Sequence, residues 1–272
     1  QKKTNYALRE NMSKQEFISE LLDGMPTPPR YFKENAMMNK QGYNSFDDVI
    51  RQGDRALEIK EFKNFLLNPD IILLDVRHQK DFIKKHIPNS IFIGLNGSFA
   101  PWVGSIIGDT NKKIILITPK GKESEAVTRL SRVGFDNCLG YLKGGVEKWE
   151  KDGNSVSSLE TIKSKNFIDI LKLNKINILD VRKESEYSTK HIEGANNIPL
   201  RLLSSRLQEV KVDENLYVHC AGGYRSVIAI SILRKKGYSG MINITEGFNE
   251  ILKSDLNENC YNSSLEASCN NI

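Results

Sequence analysis

Four short apolar runs, at residues 71–76, 113–117, 176–181 and 216–219, recur along the chain, and amphipathic stretches at helical spacing lie between them. Such runs, bounded by polar residues, predict buried strands, and their alternation with helices predicts an α/β protein with a parallel sheet covered on both faces. The segment from Ser226 to Leu233 follows the 216–219 strand after a glycine-containing loop, so strand, tight loop and helix are expected in that order. Nearer the start, Ser13 and Glu16 form a capping box ahead of Phe17, Leu21 and Leu22, which predicts a short helix to about Asp23 with Gly24 as its stop. Pro26, Pro28 and Pro29 then predict an extended segment before Tyr31 and Phe32 that packs on a neighbour, with a plain linker as the alternative.

The pattern is duplicated. The hexapeptide ending Leu74-Asp75-Val76-Arg77 returns as the one ending Leu179-Asp180-Val181-Arg182, an offset of 105 residues. The same offset carries Phe62 onto Phe167, His86-Ile87 onto His191-Ile192, and Leu95 onto Leu200 without a gap. Two copies of one domain are therefore expected, at residues 51–154 and 155–256. Residues 1–50 belong to neither copy, and 257–272, rich in Asn and Ser, reads as a loose tail.

Composition narrows the function classes. Among 272 residues, 39 Lys and Arg face 34 Asp and Glu, a net charge of +5 carried by scattered lysines rather than a basic tract, so nucleic acid is not an expected partner. No apolar stretch reaches the roughly 18–20 residues of a membrane helix, and the mean hydropathy is −0.43, so no membrane span is expected. Cys138, Cys220, Cys260 and Cys269 are too few and too unevenly spaced for a disulfide framework, which fits a reducing compartment such as the cytoplasm. Homo-oligomerisation is left open.

The segment Cys220-Ala221-Gly222-Gly223-Tyr224-Arg225-Ser226 places a thiol at the end of a buried strand, then glycines, then an arginine where a helix begins. Backbone amides around such a loop, the helix N-terminus and Arg225 all favour negative charge at its centre. Helix N-termini and cationic neighbours can lower a thiol pKa from near 8.5 to roughly 3.5–7.5, which makes Cys220 the strong nucleophile candidate of the chain. Gly222 and Gly223 are expected to supply backbone torsions that other residues resist. A lone cysteine would read as an inert core residue; one accompanied by Gly, Arg and Ser between strand and helix does not. His219 is adjacent, but neighbouring strand residues face opposite sides of a sheet, so a structural role is expected.

This loop resembles the active-site loop of rhodanese-type sulfurtransferases, Cys-x-x-Gly-x-Arg-Ser, which Cys220, Gly223, Arg225 and Ser226 match. Leu179-Asp180-Val181-Arg182, Glu186-Tyr187, His191-Ile192-Glu193-Gly194-Ala195 and Glu246-Gly247-Phe248 resemble the family's flanking motifs in the same order. The resemblance implies two tandem rhodanese-like domains. It also implies that Cys220 carries sulfur as a persulfide, that Ala221, Gly222, Gly223, Tyr224 and Ser226 form the anion-binding loop, and that Arg225 anchors the loop or the anion. Asp180, Arg182 and His191 are then fold-maintaining hydrogen-bonders, and the partners are small sulfur-containing anions and thiols.

The first copy departs at the loop, with Thr118 in place of Cys220 and Glu123 in place of Arg225. It therefore resembles a degenerate domain that packs, positions or regulates. Lys3 to Leu8, Pro26 to Phe32 and Asn39 to Gly42 resemble the closing segment of metallo-β-lactamase-fold persulfide dioxygenases. That resemblance implies an iron site upstream of Gln1, and no metal or other cofactor within the present chain. Two other readings remain: a non-catalytic binding pair, against which the intact loop argues, and a rhodanese-fold phosphatase or arsenate reductase. Loops of the latter usually hold one more residue between Cys and Arg than the four present here.

Overall fold

Side-chain alternation along the central strands divides the apolar residues between two faces of each sheet. The computed structural model describes residues 12–23, 31–42, 45–173, 176–211, 215–253 and 261–262. Three helices come first: α1 (Lys14–Leu22), α2 (Tyr31–Gln41) and α3 (Phe46–Gly53). The first copy then runs β1 (Ala56–Leu57), α4 (Ile59–Leu66), β2 (Ile72–Asp75), α5 (Gln79–Lys84), β3 (Ile91–Phe92), α6 (Phe99–Ile106), β4 (Ile114–Ile117), α7 (Glu123–Ser131), β5 (Cys138–Leu142) and α8 (Gly145–Lys151). The second runs β6 (Glu160–Ile162), α9 (Ser164–Leu173), β7 (Asn177–Asp180), α10 (Glu184–Thr189), β8 (His191–Ile192), β9 (Asn196–Asn197), β10 (Leu216–His219), α11 (Tyr224–Lys235), β11 (Met241–Ile244) and α12 (Phe248–Ile251).

The two five-stranded sheets have equivalent orders, β1-β5-β4-β2-β3 and β6-β11-β10-β7-β9, and their neighbouring strands pair in parallel. In β4, Ile114 and Leu116 join one buried cluster while Ile115 and Ile117 join another. In β10, Leu216 and Val218 join the first of these clusters and Tyr217 joins a third. The inner faces of both sheets thus feed one shared core, which holds Phe82 and Phe92 of the first copy together with Val227 and Ile228 of the second, and the outer faces have cores of their own. Fully burying a large apolar side chain contributes about 1.5–3 kcal/mol, so this shared layer holds the two copies together.

The repeat extends to individual hydrogen bonds. Arg77 makes a forked pair with buried Asp75 and donates to the Lys85 carbonyl, and Arg182 does the same with Asp180 and Lys190. His86 Nδ1 donates to the Phe82 carbonyl at 2.8 Å and stacks on its ring, as His191 does with Tyr187. Asp180, Arg182 and His191 are placed where they brace the strand β7 end and the α10 turn.

The capping box at Ser13 and Glu16 is formed, and α1 ends at Leu22. Gly24 and the three prolines lie outside the described residues. The extended segment expected before Tyr31 and Phe32 also lies there, and α2 begins at Tyr31 itself. Tyr31 is buried against Gly104 of α6, where a Cβ would come within 2.2 Å of its ring. Glu34 accepts from the Thr110 amide and hydroxyl at 3.0 and 2.6 Å. Helix α3 crosses residue 50 and packs on α7 and β5. Of the tail, the described Tyr261–Asn262 pair antiparallel with β8, and the rest lies outside the described residues.

Candidate active site

The loop that links β10 to α11 is fixed from several directions. Gly223 caps α11 with φ +85, and a Cβ there would lie 1.8 Å from the Thr245 carbonyl oxygen, so only glycine fits. Gly222 is different: its φ is not positive and a Cβ would meet nothing within 4 Å. The expectation that both glycines supply special torsions is corrected to Gly223 alone. The segment after β11 clasps the loop, with the Phe248 amide donating to the Cys220 carbonyl at 2.7 Å and the Asn249 amide to that of Ala221 at 2.9 Å. Gly247 makes this approach feasible, since a Cβ would fall 2.5 Å from the Cys220 oxygen.

Inside this frame Cys220 is 1% exposed, and the Gly223 amide donates to its Sγ at 3.1 Å. Ser226, also buried, places its Oγ 3.8 Å from the sulfur. The sulfur therefore sits at the N-terminal end of a twelve-residue helix, where free amides and the helix dipole favour negative charge. Among the described cysteines, Cys138 and Cys220 are free thiols, and burial pushes the Cys138 thiol up to about 12, which leaves it inert at neutral pH.

Arg225 lies beside the loop, and its two terminal nitrogens donate to Glu186 at 2.6 and 2.7 Å. The Arg225 hydrogen bonds hold the Glu186 carboxyl down at about 2. Glu186 belongs to α10, and the sequence motif containing it gave no hint of this role. His219 faces away from the sulfur and stacks on Phe248. Burial holds its imidazole below the ordinary range, Asp180 is 3.8 Å away, and Nε2 has no hydrogen-bond partner. It is a neutral structural residue, as strand alternation implies.

The rhodanese-like domain family matches residues 58–152 and 164–254, one stretch over each copy and together more than half of the chain. The chain belongs to the rhodanese-like family. It is 39% identical over 74 residues to the Bacillus subtilis protein YqhL, covering 27% of this chain and 59% of that protein. It is 36% identical over 67 residues to the thiosulfate sulfurtransferase PspE of Escherichia coli, covering 24% and 64%. The crystal structure of a rhodanese-like domain protein from Staphylococcus aureus aligns at 26% identity with a TM-score of 0.32, covering 34% of this chain and 91% of that one. These alignments span about three fifths of the length of the two sequence relatives.

In the first rhodanese-like domain the equivalent loop carries no thiol. Thr118 directly follows β4, Glu123 opens α7, and the exposed Lys122 pairs with Glu125 at 2.8 Å. Among the described residues no group of three or more His, Cys, Asp or Glu is placed to hold a metal ion, and no helix is long and apolar enough to cross a membrane. The resemblance of residues 1–43 to a dioxygenase segment falls largely on residues 1–11 and 24–30, outside the described residues.

Proposed function

We propose that the chain is a sulfurtransferase that carries sulfane sulfur on Cys220, taking it from thiosulfate or a low-molecular-weight persulfide and giving it to a thiol or cyanide. The observation that carries this reading is the Gly223 amide on Sγ at the head of α11. That amide and the helix end stabilise an anionic sulfur, both as the attacking thiolate and as the persulfide that follows. The Cys220 thiolate attacks the outer sulfur of thiosulfate, an S–S bond forms to Sγ, the donor S–S bond breaks, and sulfite leaves with the electron pair. The acceptor thiolate or cyanide then attacks the outer sulfur and Sγ departs as thiolate. Because Cys220 is 1% exposed, the donor sulfur has to enter the loop rather than meet the thiol at the surface. Arg225, bound to Glu186, anchors the loop and adds a positive field without being the donor's main ligand.

The setting proposed is cytoplasmic sulfide and persulfide metabolism beside an iron dioxygenase domain. It rests on the resemblance of residues 1–43, and it is tested by reading the coding sequence upstream of Gln1 for His-x-His-x-Asp-His. For the activity itself, the chain incubated with thiosulfate and cyanide yields thiocyanate and Cys220→Ser yields none. Thiocyanate produced by the serine variant overturns the assignment.

A further inference from the structure

Helix α11 is buried along eight consecutive residues, Ser226 to Leu233. A helix buried all round has partners on opposite sides; here they are its own sheet and the first rhodanese-like domain. Midway along α11, the Phe92 amide of the first domain donates to Ser231 Oγ at 3.0 Å. At its N-terminal end lies Tyr224, inside the Cys220 loop. The Tyr224 hydroxyl donates to the Gly94 carbonyl of the first domain at 2.9 Å, and its ring meets Phe92 edge-on at 5.7 Å. Gly97 lies against the same ring, so closely that a Cβ there would come within 2.5 Å of it. Arg129 pins this first-domain turn by donating to the Leu95 carbonyl at 2.7 Å. Burial pushes the Tyr224 phenol up to about 12, so it remains a donor at neutral pH.

Tyr224 directly follows Gly223, whose amide holds the sulfur. A shift of the tyrosine reaches that amide through one peptide bond. We propose that Tyr224 is a positioning residue through which the first domain, lacking a thiol of its own, holds the Cys220 loop in the geometry that takes up sulfur. The inference rests on the sulfurtransferase reading, and it gives the degenerate domain a role that its loop alone does not suggest.

Two variants approach the contact from opposite sides: Tyr224→Phe removes only the hydroxyl, and Gly97→Ala pushes a methyl group into the ring from the first domain. Two readouts are taken on the full chain: amide hydrogen exchange at Gly223 by NMR, and the rate at which thiosulfate loads Cys220 in a single turnover. Both variants are expected to exchange Gly223 faster and to load sulfur about fivefold more slowly, the scale of one lost hydrogen bond. The double variant is expected to lose no more than the worse single, since both act on one contact. Wild-type exchange, or wild-type loading despite faster exchange, overturns the proposal even where the melting temperature falls. Failure of the wild-type chain to load sulfur strikes the sulfurtransferase reading instead, and the exchange readout still judges the contact.

Discussion

Arg225 and Glu186 form a two-pronged pair, 2.6 and 2.7 Å long, across 39 residues of sequence. The arginine of the loop is therefore a strut to α10 before it is a ligand for anything else. With its carboxyl at about 2 when folded against 4.5 for an unperturbed glutamate, Glu186 adds stability that is fully present above about 4.5 and is lost as pH falls through about 2. Melting temperatures of the native chain and of Glu186→Gln are expected to converge as the pH is lowered across that window. A gap of constant size at every pH contradicts the pairing.

The buried forks of Asp75 with Arg77 and Asp180 with Arg182 make a second prediction. Both carboxylates have no exposed surface, so removing an arginine leaves an uncompensated buried charge. Arg182→Met is expected to destabilise the second domain by about 3–5 kcal/mol in chemical denaturation. A loss below about 1 kcal/mol would show that the fork is dispensable.

How far the sequence already disclosed this arrangement follows from distance along the chain. The 105-residue offset places Asp75 with Asp180 and His86 with His191, and the structure gives each pair the same hydrogen bonds. Local signals sufficed there, because the partners lie within eight residues of one another. The Glu186 strut and the Tyr224 hydroxyl on Gly94 span 39 and 130 residues and had no periodic signal. The one available hint was the absence of any charged residue from 226 to 233, where only Ser226 and Ser231 interrupt the apolar side chains, a pattern that a helix with one solvent face would not show. Gly222 and Gly223 look alike in sequence, and the left-handed φ of +85 and the approach of Thr245, both at Gly223, separate them.

That separation is itself testable. Gly223→Ala has to relieve a 1.8 Å clash and adopt φ +85, whereas Gly222→Ala meets open space. The first is expected to be destabilised by more than about 1–3 kcal/mol and to lose sulfur loading, and the second to remain close to the native chain in stability. Equal effects would contradict the loop geometry.

The first domain should not be convertible by a thiol alone. Thr118→Cys made together with Cys220→Ser supplies a sulfur at the end of β4, but Glu123 in the first turn of α7 opposes an anion there. No sulfur adduct at position 118 is expected after thiosulfate treatment. Robust loading at that position would show that the acidic residue does not silence the loop.

The central claim is that Cys220 itself carries the transferred sulfur, and intact-mass spectrometry of the thiosulfate-treated chain tests it most directly. A gain of about 32 Da, one sulfur atom, is expected on the peptide containing Cys220, and cyanide is expected to remove it. A chain that turns over thiosulfate with Cys220 unmodified, or whose adduct lies on another residue, would contradict it.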